Sequence, residues 1–253
     1  MKMKAISFAT LMASVVAMLV TSVPAFASDS DANIESLGRQ SYVFRTYLKD
    51  DDIKIQSKEG VVTLTGVVAN EAHKTLAQET MASQFGVKSV DNKLELKGAP
   101  STANSDAWIK DKVKITLLFH RSVSATATEV DVKDGVVTLK GNAISMAQKE
   151  LTTEYAKDVD GVTRVSNEMI VKADPKHKRT VGEKIDDASI TAQVKLALLF
   201  HRSTSAIHTT VETKRGDVTI GGSCKSTAEK DLVSKLVSDV SGVKSVKNKM
   251  SVQ

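Results

Sequence analysis

Gly60-Val61-Val62-Thr63-Leu64-Thr65-Gly66 returns as Gly135-Val136-Val137-Thr138-Leu139-Lys140-Gly141 and again as Gly216-Asp217-Val218-Thr219-Ile220-Gly221-Gly222. A further glycine follows 20 residues after each run, at Gly86, Gly161 and Gly242, and opens Gly-Val-Lys-Ser-Val-Asp-Asn, Gly-Val-Thr-Arg-Val-Ser-Asn and Gly-Val-Lys-Ser-Val-Lys-Asn. The chain is three copies of one small unit. That decides the architecture before any residue is read singly, because a repeat this short buries its apolar side poorly without neighbours.

Working outward from the glycines gives the order of elements. Val130-Asp131-Val132 runs through Lys133-Asp134-Gly135 into Val136-Val137-Thr138-Leu139, alternating residues around an Asp-Gly hairpin turn. Val62 and Leu64, Val137 and Leu139, and Val218 and Ile220 are then the core-facing pairs. Upstream, Ile109, Val113 and Leu117 match Ile190, Val194 and Leu198 as one apolar helix face, while the first unit offers Val43, Phe44, Tyr47 and Leu48. Downstream, Ser145-Met146-Ala147-Gln148 and Ser226-Thr227-Ala228-Glu229 are capping boxes, with Asn70 at the same place in the first unit. Those helices stop at Gly86, Gly161 and Gly242, suited to a left-handed C′ residue, and a last strand follows. Each unit reads α-β-β-α-β. A strand, a crossover helix and a further strand make the sheet mixed, so the class is α+β: three tandem units at 34–97, 106–172 and 186–253, each a small three-stranded mixed sheet with two helices on one face. Gly60, Gly66, Gly135, Gly141, Gly216 and Gly222, with the three C′ glycines, are read as structural. Pro100 and Pro175 mark the linkers.

Residues 1–27 have the form of a secretory signal: Lys2 and Lys4, an uncharged apolar run over 5–20, and Ala25-Phe26-Ala27 as the cleavage pattern. The expectation is export to the periplasm with cleavage after Ala27, and no transmembrane segment thereafter. Losing those two lysines takes the formal charge from +5 to +3, too mild to call for nucleic acid. Cys224 is the single cysteine, which excludes an intramolecular disulfide and reads as a small buried hydrophobe where the other copies have Val68 and Ala143.

Gly-Val-Val-Thr-Leu-x-Gly, a capped helix beginning Ser-x-Ala-Gln/Glu-Lys, and Gly-Val-x-x-Val-x-Asn, present together, resemble the BON domain. The resemblance implies a non-enzymatic periplasmic protein of the envelope, in a family associated with phospholipid or envelope surfaces and with osmotic stress and chaperone-like roles. No cofactor or metal is implied.

Units two and three alone share Phe119-His120-Arg121 and Phe200-His201-Arg202 at the end of their first helix. Cations there suit the helix dipole, and a protonated His with Arg could equally hold a lipid phosphate. Trp108 among Lys110, Lys112 and Lys114 has the make-up of a membrane-interface helix, or of an interdomain contact. Lys176, Lys178 and Arg179 form the densest basic cluster, otherwise a solvated linker. Two functions remain open: binding anionic phospholipid or an envelope surface through these residues, or shielding unfolded envelope proteins as a soluble holdase.

Overall fold

The computed structural model describes residues 27–98, 105–172, 184–204 and 209–253. Residues 1–26 of the expected signal, Pro100 and Pro175, and Lys176, Lys178 and Arg179 lie outside these residues; Ala27, the expected cleavage point, is the first residue of a helix.

The first unit comprises α1 (Ala27–Gln40), the short α2 (Tyr42–Thr46), β1 (Asp52–Lys58), β2 (Val61–Val68), α3 (Glu71–Ala82) and β3 (Ser89–Leu96). The second comprises α4 (Asp106–Phe119), a 3-10 turn at Ala125–Ala127, β4 (Thr128–Lys133), β5 (Val136–Ala143), α5 (Met146–Lys157), β6 (Arg164–Asn167) and β7 (Ile170–Val171). The third repeats it with α6 (Asp187–Phe200), β8 (Thr209–Lys214), β9 (Asp217–Cys224), α7 (Thr227–Ser238), β10 (Ser245–Asn248) and β11 (Ser251–Val252).

In every unit the glycine-bracketed strand is central. β2, β5 and β9 pair antiparallel with the strand before them and parallel with the strand after the helix. The sheets are therefore mixed, as the crossover required. Val137, Leu139 and Ala143 are buried on one face, under α4 and α5, and the intervening positions are more open. The hairpin turns have two left-handed residues each, Glu59 and Gly60, Asp134 and Gly135, Arg215 and Gly216. Such a turn matches the right-handed twist of the flanking strands.

A carboxylate explains why non-glycine residues are held there. Asp106, the first residue of α4, accepts from the amides of Asp134 (2.8 Å) and Gly135 (2.9 Å). Asp187 does the same for Arg215 (2.7 Å) and Gly216 (2.9 Å), and Asp31 for Glu59 (2.7 Å) and Gly60 (2.9 Å). Asp31 also takes the Ser57 hydroxyl, which with the Gly60 amide holds its carboxyl below the usual range. Three residues on, Ile34, Ile109 and Ile190 are buried in the core. The repeated unit thus begins with Asp-Ala-x-Ile, and this corrects the reading of unit one: its first helix lies over Ala27–Gln40, across the expected boundary at 34, and is broken at Ser41, whose hydroxyl donates to the Gly38 carbonyl. The apolar set around Val43 belongs partly to the short α2 beyond the break.

The repeated asparagines tie the last strand to the second helix. Asn92, Asn167 and Asn248 donate to the carbonyls of Lys74, Lys149 and Lys230 and accept from the amides of Leu94, Met169 and Met250. Gly141 lies opposite Thr128, where a Cβ would run into the Ala127 carbonyl oxygen. Cys224 is buried, its Sγ 3.5 Å from the Ser251 carbonyl.

The units do not keep separate cores. Units one and three share one cluster, which also takes Ile115 and Phe119 of unit two, while the rest of unit two has its own. α3 lies along α6, joined by Lys195 and Glu79 (2.8 Å), and the amides of Tyr42 and Val43 are capped by Asp186 and Ser189.

Replacing Asp106 with alanine removes two hydrogen bonds to a charged acceptor and should lower the unfolding free energy by about 1–3 kcal/mol. Urea denaturation should show the midpoint falling with the slope unchanged; an unaltered midpoint would mean that the turn holds itself.

Candidate functional site

The feature shared by units two and three alone is built at their mutual interface. Each first helix ends in Leu-Leu-Phe-His-Arg-Ser, residues 117–122 and 198–203, and the chain leaves the helix extended at His120 and His201. Each extended arm lies against the loop that ends the other unit's second helix. His120 bridges antiparallel to Val240, and His201 to Val159. The Ser241 amide donates to the Phe119 carbonyl (2.8 Å) and the Arg121 amide to the Asp239 carbonyl (3.1 Å). In mirror fashion the Asp160 amide donates to Phe200 (3.0 Å) and the Arg202 amide to Asp158 (2.8 Å). The exchange is reciprocal, the same patch on both partners, as in a two-fold dimer but within one chain.

The arginines complete the contact by capping. Arg202 donates to the carbonyls of Val162 (2.8 Å), Val159 (3.2 Å) and Lys157, and Arg121 to those of Val243 (3.3 Å) and Ser238. These include free carbonyls at the C-termini of α5 and α7, where a guanidinium also meets the negative end of the dipole. The cations of Phe-His-Arg do serve a helix C-terminus, but that of the other unit.

The two halves differ electrostatically. Asp239 accepts from the Tyr155 hydroxyl (2.6 Å) and the Ser122 hydroxyl, and lies 3.3 Å from His120 Nδ1. Burial pushes the Asp239 carboxyl up, yet these three contacts outweigh it and hold the group below its ordinary value. His120 stacks on Tyr155 with centroids 3.8 Å apart and planes 7° apart. Desolvation, and then the bond to Asp239, raise the Tyr155 phenol. In the opposite half Leu236 stands where unit two has Tyr155. His201 accepts from the Ser203 amide at Nδ1 (3.1 Å), which turns Nε2 to Asp158 at 3.5 Å. Burial holds the His201 imidazole below its ordinary value, only partly opposed by Asp158.

This placement corrects the expected headgroup site. Phe119 (0 % exposed), His120 (3 %), Phe200 and His201 are buried between units and cannot reach a lipid phosphate. Lys112 is 4 % exposed. Its ammonium lies 3.5 Å from the Trp108 ring centroid, 5.2 Å from that of Phe200 and 3.6 Å from Asp160, and burial lowers its pKa against the pull of that carboxylate. Trp108, half-buried, is thus an interdomain residue. A cavity of about 510 Å³ opens beside it where the three units meet, lined by Glu71, Asp111, Lys112, Asp160 and Phe200 among others. Lys110 pairs with Asp131 (3.1 Å), Lys114 is exposed, and Arg121 and Arg202 reach solvent at one edge of their caps. Among the described residues no cluster of His, Cys, Asp and Glu is arranged to hold a metal ion, and no helix is long and apolar enough to cross a membrane.

The sequence reading missed the acceptors. Asp158-Val159 and Asp239-Val240 precede their C′ glycines in the two units that carry the arm, whereas unit one has Ser83-Gln84. That paired occurrence was the available signal.

Three BON domains account for residues 30–98, 105–173 and 186–253, and the chain belongs to the BON-domain family. It is 34 % identical over 202 residues to Osmotically-inducible protein Y of Escherichia coli (strain K12), covering 79 % of this chain and 98 % of that protein. It is 31 % identical to a 21 kDa hemolysin of Actinobacillus pleuropneumoniae, over 46 % of this chain and 64 % of the relative. With the Outer membrane lipoprotein DolP of Haemophilus influenzae it shares 29 % identity, over 55 % of this chain and 66 % of that one.

Because His201 is favoured neutral in the folded chain, the unfolded chain binds the extra proton as pH falls through its ordinary value of 6.5. Stability should therefore be full above that value and decline below it, until the depressed folded value is passed. Thermal melts from pH 7.5 to 5 should show a falling midpoint, and His201→Gln should flatten the fall. A decline as steep in the variant would place the sensitive group elsewhere.

Proposed function

We propose that the chain is a non-catalytic protein of the bacterial cell envelope, of the osmotic-stress kind, whose middle unit rests on anionic phospholipid. Support for the setting comes from the near full-length likeness to Osmotically-inducible protein Y and from the partial likeness to an outer membrane lipoprotein. The signal-like segment 1–27 agrees with it.

One observation carries the surface. Met146 (60 % exposed), Ile170 (59 %), Ile144 and Val171 are exposed apolar residues of unit two. They lie near one end of its sheet: Ile170 pairs with Asn142, Val171 with Ala143, Ile144 follows directly, and Met146 opens α5. The Lys172 amide bonds to Ala143 beside them, which puts a base at the patch. At three of these positions the other units are polar or small: Ala69, Glu71 and Glu95 in unit one, Lys225, Thr227 and Ser251 in unit three. The fold does not require apolar residues there, and an apolar patch edged by lysine suits the boundary between acyl chains and anionic headgroups. Lys114 and the basic run Lys176, Lys178 and Arg179 add charge that would steer the chain to such a surface.

Flotation with vesicles tests this. The chain lacking residues 1–27 should float with phosphatidylglycerol-rich vesicles at low salt and not with phosphatidylcholine alone. Met146→Glu with Ile170→Glu should abolish flotation while leaving the melting midpoint within a few degrees, since both side chains are exposed. Trp108 emission should stay unchanged. If the double variant floats normally, the patch is not the contact; if no vesicle binds but the patch is needed to suppress aggregation of an unfolded client, the holdase reading replaces this one.

A further inference from the structure

The chain has three receiving loops and only two arms to fill them. Loops 82–86, 157–161 and 238–242 share one backbone turn, in which Val87, Val162 and Val243 donate to Gln84, Val159 and Val240 (3.3, 3.2 and 3.2 Å) around a left-handed glycine. In the second and third the flanking groups are consumed by an arm: the Asp160 and Ser241 amides, and the Asp158 and Asp239 carbonyls. The matching groups of unit one, the Phe85 amide and the Ser83 carbonyl, have no partner among the described residues, and Ser83 Oγ is buried without one. Phe85 replaces Asp160 and Ser241 and is 90 % exposed, the most exposed large apolar side chain described. Unit one supplies no arm of its own, because its first helix breaks at Ser41 and α2 turns instead against the start of α6.

We infer that loop 82–86 is a docking site for an extended segment of another polypeptide, an apolar residue followed two positions later by arginine. The two filled loops define the chemistry. The occupant's apolar residue offers its carbonyl to the Phe85 amide, and its arginine amide bonds to the Ser83 carbonyl. The guanidinium then caps the free carbonyls ending α3, with the Phe85 ring beside it as a further partner for the cation. Ser83 in place of Asp158 and Asp239 removes the acid that faces the histidine, so histidine is not required of the occupant. A second copy of this chain is disfavoured as the source, since both of its arms are buried in their own clasp.

The probe is the labelled peptide Leu-Leu-Phe-His-Arg-Ser, the sequence of both arms. Added to the full chain lacking residues 1–27, it should shift backbone amide resonances centred on residues 83–86. Phe85→Lys in the protein, which removes the ring and sets a like charge beside the guanidinium, or Arg→Gln in the peptide, should each weaken binding by about tenfold or more. Shifts centred instead on 158–160 and 239–241 would mean that the peptide only invades the existing clasp, and the inference fails. It fails too if no binding is seen, if Phe85→Lys abolishes concentration-dependent self-association instead, or if that change affects only vesicle flotation.

Discussion

Each unit is organised by a carboxylate that reaches across from the first helix to a turn it could not otherwise govern. A tight hairpin with both central residues left-handed costs a non-glycine residue conformational energy, and Glu59, Asp134 and Arg215 bear that cost. Two hydrogen bonds from the turn amides to Asp31, Asp106 or Asp187 offset it and fix where the helix begins relative to the sheet. With the start fixed, the buried isoleucine three residues on sets the helix's rotation, and its face falls over the central strand. In units two and three an unbroken helix of 14 residues then carries the arm about 20 Å from the latch. The position of Phe-His-Arg at the edge of its own unit is a consequence of that length and that anchor.

What the arms do there follows from the size of the units. A domain of under 70 residues has a small interior and is marginally stable alone, and here surface that would otherwise be wet is traded between copies. Units one and three merge cores through α3 and α6; units two and three instead exchange backbone hydrogen bonds and arginine caps. The second arrangement is directional. A buried amide or carbonyl left unpaired is costly, which makes the clasp specific in register as well as cohesive. Its two halves are not electrostatic equals: Tyr155 stacks on His120 and anchors Asp239, while Leu236 leaves the His201 side without that support. In that weaker half burial disfavours the His201 imidazole as a cation.

The repeat, the element order, the mixed sheet and the helix caps were legible because each leaves a local mark: a glycine pair around alternating residues, a Ser three residues before Gln or Glu. Asp-Ala-x-Ile leaves a mark as well, at 31, 106 and 187, but in unit one the apolar cluster around Val43, beyond the break at Ser41, imitates the helix face and masks it. The clasp was half legible. Phe-His-Arg recurs visibly in two units, and its place in the sequence suggests the end of its own helix or a lipid. Nothing local in the arm states that its partners are Asp158 and Asp239 in the other copy. Burial of Lys112 was hidden for a different reason: a lysine beside two others on a helix looks solvated until a neighbouring unit brings Phe200 and Asp160 over it.

A tandem repeat also supplies its own controls. Residues common to all copies, such as the turn glycines and the strand asparagines, are accounted for by backbone geometry, so they say little about what the chain meets outside itself. A position that turns apolar and exposed in one copy, while its equivalents are charged or small, cannot be charged to the fold, since the same backbone forms without it. Ile144, Met146 and Ile170 are such positions in the middle unit, and Phe85 is one in the first. They differ in kind. The first three, exposed near one end of the sheet with a lysine in the same stretch, suit a broad apolar and anionic surface, whereas at Phe85 an amide and a nearby carbonyl have no partner among the described residues while their counterparts are filled by an ordered arm. The patch would be occupied by something fluid and extensive, and the loop by a segment with its own backbone to pair.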